Sequence, residues 1–335
     1  HGAVITGVSD GTISRNVIHN GPHAGINANN STIDNNTIQL KVKYTNAFAI
    51  RVTGNSDVHH NRINCGSGDY AAMGIMVTNN ATGSPALVHD NTVTIQLLQN
   101  NQEYGGGQIE GADAIQVEGG DSGVNGCEIY NNTMTAIADT VQSTSCRLGE
   151  GTVTGLYVHD NHFIATRTGE GVFAAALKLS ALDQTEIVFE DNILETNSQY
   201  VGRSGITQDV QLVRTTLKAT GDTTGFRAIE TNNWKQNEAD ALIDLKWVDT
   251  SFYDAATKAF LTDGYTYIYN GLIDPISSFI NAFTTAFQVT DAQGAAVANA
   301  AVTVVDKDNR EVFSGTTDAN GQVAVVLDEF RTQGD

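Results

Sequence analysis

Two aspartates raise the question of chemistry. Asp113 in "ADAIQV" and Asp139 in "ADTVQS" sit in matching contexts, each followed three positions later by a glutamine, Gln116 or Gln142. On neighbouring parallel strands their backbones would lie ~5 Å apart. Two carboxyl groups that close can divide the roles of general acid and general base when their surroundings separate their pKa values. Lys178 in "AALKLS" and Arg51 in "FAIRVT" carry cations in the slot of the glutamines. Asp113, Asp139 and Lys178 are therefore the candidate catalytic residues. Arg51, Gln116, Gln142 and Lys178 are the candidate binding contacts. The competing reading is plain: solvent-facing strand positions are polar anyway, and an aspartate at a strand start caps a turn. An eliminating enzyme needs a base beside a cation. Arg51 and Lys178 stand four strands apart on this reading, ~19 Å, too far to share one sugar.

Two further groups of ligating residues stand out. Asp306 and Asp308 in "DKDNRE" make an acid-rich turn of the kind that holds calcium with low affinity. His59, His89 and His159 recur in one slot of a repeat, a surface ladder whose spacing matches no zinc signature. Cys65, Cys127 and Cys146 also lack metal spacing. A Cys127–Cys146 disulfide and three buried free thiols are the two readings left open.

These residues must be positioned by a repeat. "VHDNTV" at Val88 returns as "VHDNHF" at Val158, with "ISRNVI", "IDNNTI", "VHHNRI" and "IYNNTM" at Ile13, Ile33, Val58 and Ile129. The asparagine column reads Asn16, Asn36, Asn61, Asn91, Asn132, Asn161, with Asp191 taken as its next member. A constant motif at variable spacing marks stacked units with loops of different length. A second column of short alternating segments is centred on Ile26, Ile50, Ile75, Ile115, Val141, Leu177, Ile206 and Ile229. Each unit thus holds three short strands, one at this column and one at each end of the asparagine motif. The asparagine is placed at the bend, in the left-handed conformation, bonding to its copy on the next unit. Small residues beside the column, Gly25, Ala49, Gly74, Ala114 and Ala176, are expected on the outer face. There they would floor a shallow trough.

The repeated V-x-x-N-x-V bends resemble the right-handed parallel β-helix repeats of the pectate-lyase-like superfamily, from Ile5 to Ile229. The resemblance implies an all-β solenoid, and it makes the column of Arg51, Gln116, Gln142 and Lys178 a candidate carbohydrate-binding face, since members usually hold sugar chains there. It says little of activity, because that fold serves lyases, hydrolases, epimerases, adhesins and passive surface proteins. Polygalacturonase-like members carry catalytic aspartates at the point corresponding to Asp113 and Asp139. Their doubled aspartate, Gly-His-Gly and Arg-Ile-Lys are missing here.

The grammar changes towards the C-terminus. Residues 287–335 alternate apolar and polar, with turns at "DAQG", "DKDN" and "DANG". This predicts an antiparallel β-sandwich, and the segment is similar to carboxypeptidase-regulatory-like and immunoglobulin-like modules. The sandwich is read as incomplete at Asp335. The domain reading is therefore residues 1–235 as β-helix, 236–286 as a capping connector and 287–335 as the module. In the connector, Ile276, Phe279, Ile280 and Phe283 suggest a short helix starting near Pro275.

Bulk properties narrow the function classes. Thirty-eight acids against 18 bases give a net charge of −20, which disfavours nucleic acid and anionic lipid. No apolar run is long enough to span a membrane as a helix. The start at His1, without methionine or leader, is read as an exported or excised chain. The expectation is an extracellular or cell-surface modular protein, structural or adhesive, binding a polysaccharide or neighbouring surface proteins. No cofactor is expected apart from calcium. The alternative is a secreted polysaccharide-degrading enzyme.

Overall fold

The computed structural model describes residues 3–333 apart from 20–23, 43–46, 68–71, 79, 81–84, 98–110, 140–141, 150, 170–173, 180–182, 199, 205–206, 222–226, 232–242, 255–258, 261–265 and 271–277. The described residues are all-β and contain no helix. Three long sheets dominate, and each takes about every third strand in chain order. One passage through them runs Ala112–Glu118, Glu128–Tyr130 and Thr133–Ala138. Pairing within the sheets is parallel up to the C-terminal region, apart from the antiparallel pair Ser251–Asp254 with Ala259–Phe260 at one edge of the third sheet.

The register makes each sheet a set of side-chain columns. In the first sheet Ile5, Ile26, Ile50, Ile75, Ile115, Cys146, Leu177, Gly202, Ile229 and Ile268 stand in line. In the second, Ile33, Val58, Val88, Ile129, Val158 and Phe189 do so. In the third, Ile38, Ile63, Val93, Met134 and Phe163 follow suit. All three columns feed one apolar cluster. No strand of three residues can hold itself together. Burial of these columns against each other is what stabilises the sheets.

Two column assignments differ from the sequence reading. The slot given to Val141 belongs to Cys146, in the strand Ser143–Leu148. The slot given to Ile206 belongs to Gly202. Val141 and Ile206 themselves lie outside the described residues. A polar strand, "STSCRL", hides its one inward thiol among hydroxyls, whereas "DTVQS" imitates the neighbouring pattern.

The small residues are also reassigned. Ala49, Ala114 and Ala176 are fully buried in the core cluster, not on the outer face. Two consecutive residues turn inward in these strands, and the first faces the third sheet. A Cβ on Gly74 would meet Val93 Cγ1 at 2.6 Å, and Ser145 Oγ donates to Met134 O at 2.7 Å. Only small side chains fit there.

The asparagine column is continuous, and buried from Asn36 onward. Asn91 Oδ1 accepts from Asn61 N and Nδ2, both at 3.0 Å, while its own Nδ2 donates to Val58 O, His89 O and Asn132 Oδ1. The same pattern runs from Asn16 to Asn192, so Asn192 and not Asp191 is the seventh member. Thr215 and Thr250 follow, their hydroxyls reaching the corresponding carbonyls. The left-handed residue is one place earlier than expected. His60, Asp90, Asn131, Asp160 and Asp191 have φ of 53–55°. That residue projects to the outside of the bend, whereas the asparagine points in to bond the next tier.

The C-terminal region begins with the strand Ser278–Gln288, which pairs in parallel with Ile243–Val248 and antiparallel with Gln322–Gln333. At Phe279, Ile280 and Phe283 this strand replaces the expected short helix, while Pro275 and Ile276 lie outside the described residues. A short three-four apolar pattern is weak by itself, and the open edge of Ile243–Val248 provides a full row of backbone partners. Ala301–Val305 and Glu311–Thr316 form a second antiparallel pair.

Candidate functional site

The outer face of the first sheet gathers most of the candidate residues. Its main column runs Arg51, Met76, Gln116, Arg147, Lys178, Arg203 on consecutive strands. The neighbouring column runs Phe48, Met73, Asp113, Thr144, Ala175. The alternation that points Ile115 inward points Gln116 outward, and the inward pair at residues 114–115 puts Asp113 outward as well. Each register step is ~4.8 Å, so Asp113, Gln116, Arg147 and Lys178 fall within one sugar-sized area.

The centre of this face is buried, with Asp113 1% exposed, Gln116 4% and Lys178 8%, whereas Arg51, Arg147 and Arg203 remain partly exposed. Arg147 Nη1 donates to Asp113 Oδ2 at 3.1 Å. Gln116 Nε2 donates to Glu118 Oε2 at 3.1 Å, and Lys178 Nζ to Gln142 Oε1 at 3.3 Å. Burial pushes the Lys178 ammonium down to about 8, helped by the charge of Arg147 and opposed by Asp113. Asp113 Oδ1, Gln116 Oε1 and Thr144 Oγ1 are buried without a hydrogen-bond partner among the described residues. Three such atoms on neighbouring strands are unusual, because buried polar groups are nearly always paired.

The sequence-predicted site is therefore partly regrouped. Asp113, Gln116, Gln142 and Lys178 come together. Asp139 does not: Asp113 pairs with Thr144, and Asp139 follows the third-sheet strand Thr133–Ala138, where Thr168 Oγ1 donates to it at 3.4 Å. The acid–base pair of aspartates is thus dissolved by the register. Arg51 shares the column but is separated from Gln116 by Met76. Arg147 and Arg203 were missed. Shifting the "STSCRL" segment into the column would have placed Arg147 beside Lys178. A cation thus stands on the strand adjoining Lys178, where the sequence reading had only Arg51, four strands away.

The other candidates have local roles. Asp306 Oδ1 accepts from the backbone of Asp308 and Arg310, and Oδ2 accepts from Arg310 Nε at 2.7 Å. Asp308 also faces Arg310 and Lys307. These contacts build a turn, one of three alike, with Asp291 and Asp318 bonding the amides two and four residues on. Among the described residues no three His, Cys, Asp or Glu side chains form a group that could hold a metal ion. Cys65, Cys127 and Cys146 are free and buried, and burial raises their thiols, Cys65 and Cys127 to about 12.

The histidine ladder is real and is completed by a tyrosine. His59, His89, Tyr130 and His159 stack with ring centroids 4.9, 4.6 and 5.1 Å apart. His89 lies between Asp90 and Asp57, at 2.7 and 3.1 Å. His159 lies between Asp160 and Glu128, at 2.8 and 3.1 Å. No protein-family profile matches the sequence, and no curated protein matches it.

Proposed function

We propose that the three sheets close into a right-handed parallel β-helix carrying an immunoglobulin-like module. On this reading the protein is extracellular or cell-surface, and the first-sheet face binds an acidic polysaccharide. The observation that carries this is the column Arg147–Lys178–Arg203 beside the Asp113, Gln116 and Thr144 oxygens that find no hydrogen-bond partner among the described residues. Cations at ~4.8 Å steps suit carboxylates borne on successive sugars. Unsatisfied oxygens beside them suit sugar hydroxyls, which donate. The rigid asparagine-laddered tiers supply the scaffold that adhesion or display requires.

Elimination is the second reading, favoured by Lys178. A lysine with its pKa brought to about 8 is partly neutral in mildly alkaline solution. It can then take the proton beside a uronate carboxylate whose charge Arg147 and Arg203 offset. The new C=C bond forms as the glycosidic C–O bond breaks, and the leaving oxygen gains a proton. The test is calorimetric titration of uronic-acid oligosaccharides and their neutral counterparts, with ultraviolet detection of unsaturated ends. Binding of the acidic oligomers by the wild type, lost in K178M, supports the site. Unsaturated product absent from K178M makes the protein a lyase. Equal indifference to acidic and neutral oligomers refutes both readings.

A further inference from the structure

Three tiers share one bend geometry, and one of them departs from it in a chemically specific way. In two tiers the ladder histidine turns Nδ1 towards the side chain that follows it, an aspartate: His89 to Asp90 at 2.7 Å and His159 to Asp160 at 2.8 Å. In the third the following residue is another histidine, and His59 Nδ1 stands 2.9 Å from His60 Nδ1. The two rings are nearly perpendicular, at 86°, with the two Nδ1 atoms facing each other. His60 is exposed at the outside of the bend, and its φ of 54° is fixed by the repeat. His59 is held by its stack on His89, at 4.9 Å and 10°.

We propose that His59 and His60 form a two-imidazole chelate for a divalent transition-metal ion of the Cu(II) or Ni(II) type. The 2.9 Å separation is that of the hydrogen bond the metal-free pair makes, and it also suits this class. Two nitrogens each ~2.05 Å from a metal and at right angles to one another are ~2.9 Å apart, whereas a tetrahedral angle requires ~3.3 Å. Right-angled nitrogen ligation is what copper and nickel prefer. Without metal the pair shares one N–H···N hydrogen bond. Binding moves that ring's proton from Nδ1 to Nε2 through solvent, so no net proton is released. Two protein ligands leave the remaining positions to water, which the exposure of His60 permits. Asp34, paired with His59 on the adjoining strand, and Asp90, one tier on, add negative potential. The sequence reading passed over the site because zinc signatures space their ligands, whereas this bend converges two adjacent ones.

The protein's own repeats supply substitutions that fit the backbone. Asparagine occupies the His60 slot at Asn35 and Asn131, both with φ of 54°. Tyrosine occupies the His59 slot at Tyr130. The test is calorimetric titration of the full chain with Ni(II) and with Cu(II), comparing wild type, H60N, H59Y and H159N. The expected result is one equivalent bound by wild type and H159N, and ~10-fold or more weaker in both H60N and H59Y. Circular dichroism unchanged across the set confirms intact folds. Wild-type affinity and stoichiometry retained in H60N would overturn the proposal. So would loss in H159N equal to that in H60N, which would make the binding a property of scattered imidazoles.

Discussion

Replacing Asn91 by alanine tests whether the buried asparagine column holds the tiers together. Asn91 is 2% exposed, and its side chain makes five hydrogen bonds. Truncation removes the acceptor of the Asn61 backbone N–H, and an orphaned buried donor costs ~1–3 kcal/mol. The lost bonds to Val58 O and Asn132 Oδ1 are worth ~1 kcal/mol each, which brings the total to ~4 kcal/mol. Stacked repeats can unfold unit by unit, so a global midpoint alone is a blunt measure. Hydrogen exchange at the Asn61 amide, alongside urea unfolding, reads the tier concerned. Asn91→Asp is the companion variant. It keeps the acceptor for Asn61 but turns a carboxylate oxygen towards Val58 O, His89 O and Asn132 Oδ1. It should be at least as destabilised at neutral pH and recover as acid protonates the carboxyl. Unchanged Asn61 protection in N91A, with a loss below ~0.5 kcal/mol, would show that the column is ornament and the apolar core suffices.

Gly74→Ala is expected to destabilise, because its Cβ would lie 2.2 Å from Ala114 O and 2.6 Å from Val93 Cγ1. A melting temperature equal to the wild type's would contradict the inward placement of that residue. Burial pulls the His159 pKa down, but the hydrogen bonds to Asp160 and Glu128 outweigh it and leave it above its ordinary 6.5. The resulting stabilisation is complete below pH 6.5 and fades as pH rises through the folded-state value. The melting-temperature advantage of wild type over H159Q should therefore shrink from about pH 6 to about pH 8, and a constant difference would refute the clamp. The Asp306 turn holds Arg310 and backbone amides, so calorimetric scans in calcium and in chelator should superimpose for the C-terminal transition. A shift with calcium would restore it as a cation site.

The sequence alone determined the parts that repeat. V-x-x-N-x-V carries the strand ends, the buried amide and two inward apolar residues within six positions, so local pattern and tertiary role coincide. The three turns led by Asp291, Asp306 and Asp318 were legible for the same reason: each carboxylate bonds amides two and four residues away. Register is a different matter, because a strand of six residues is assigned by which neighbour it meets, not by its own composition. "DTVQS" and "STSCRL" both fit a strand, and only the stacking of Cys146 on Ile115 and Leu177 chose between them. That choice removed Asp139 from the site and brought Arg147 in. The inward turn of Ala114 and the left-handed residue before each asparagine were equally hidden, since both follow from where the next sheet lies. The Ser278–Gln288 strand makes the point most simply. Its apolar spacing suits one helical turn, but an unpaired strand edge offers a full row of backbone partners, and that edge exists only once the chain has folded.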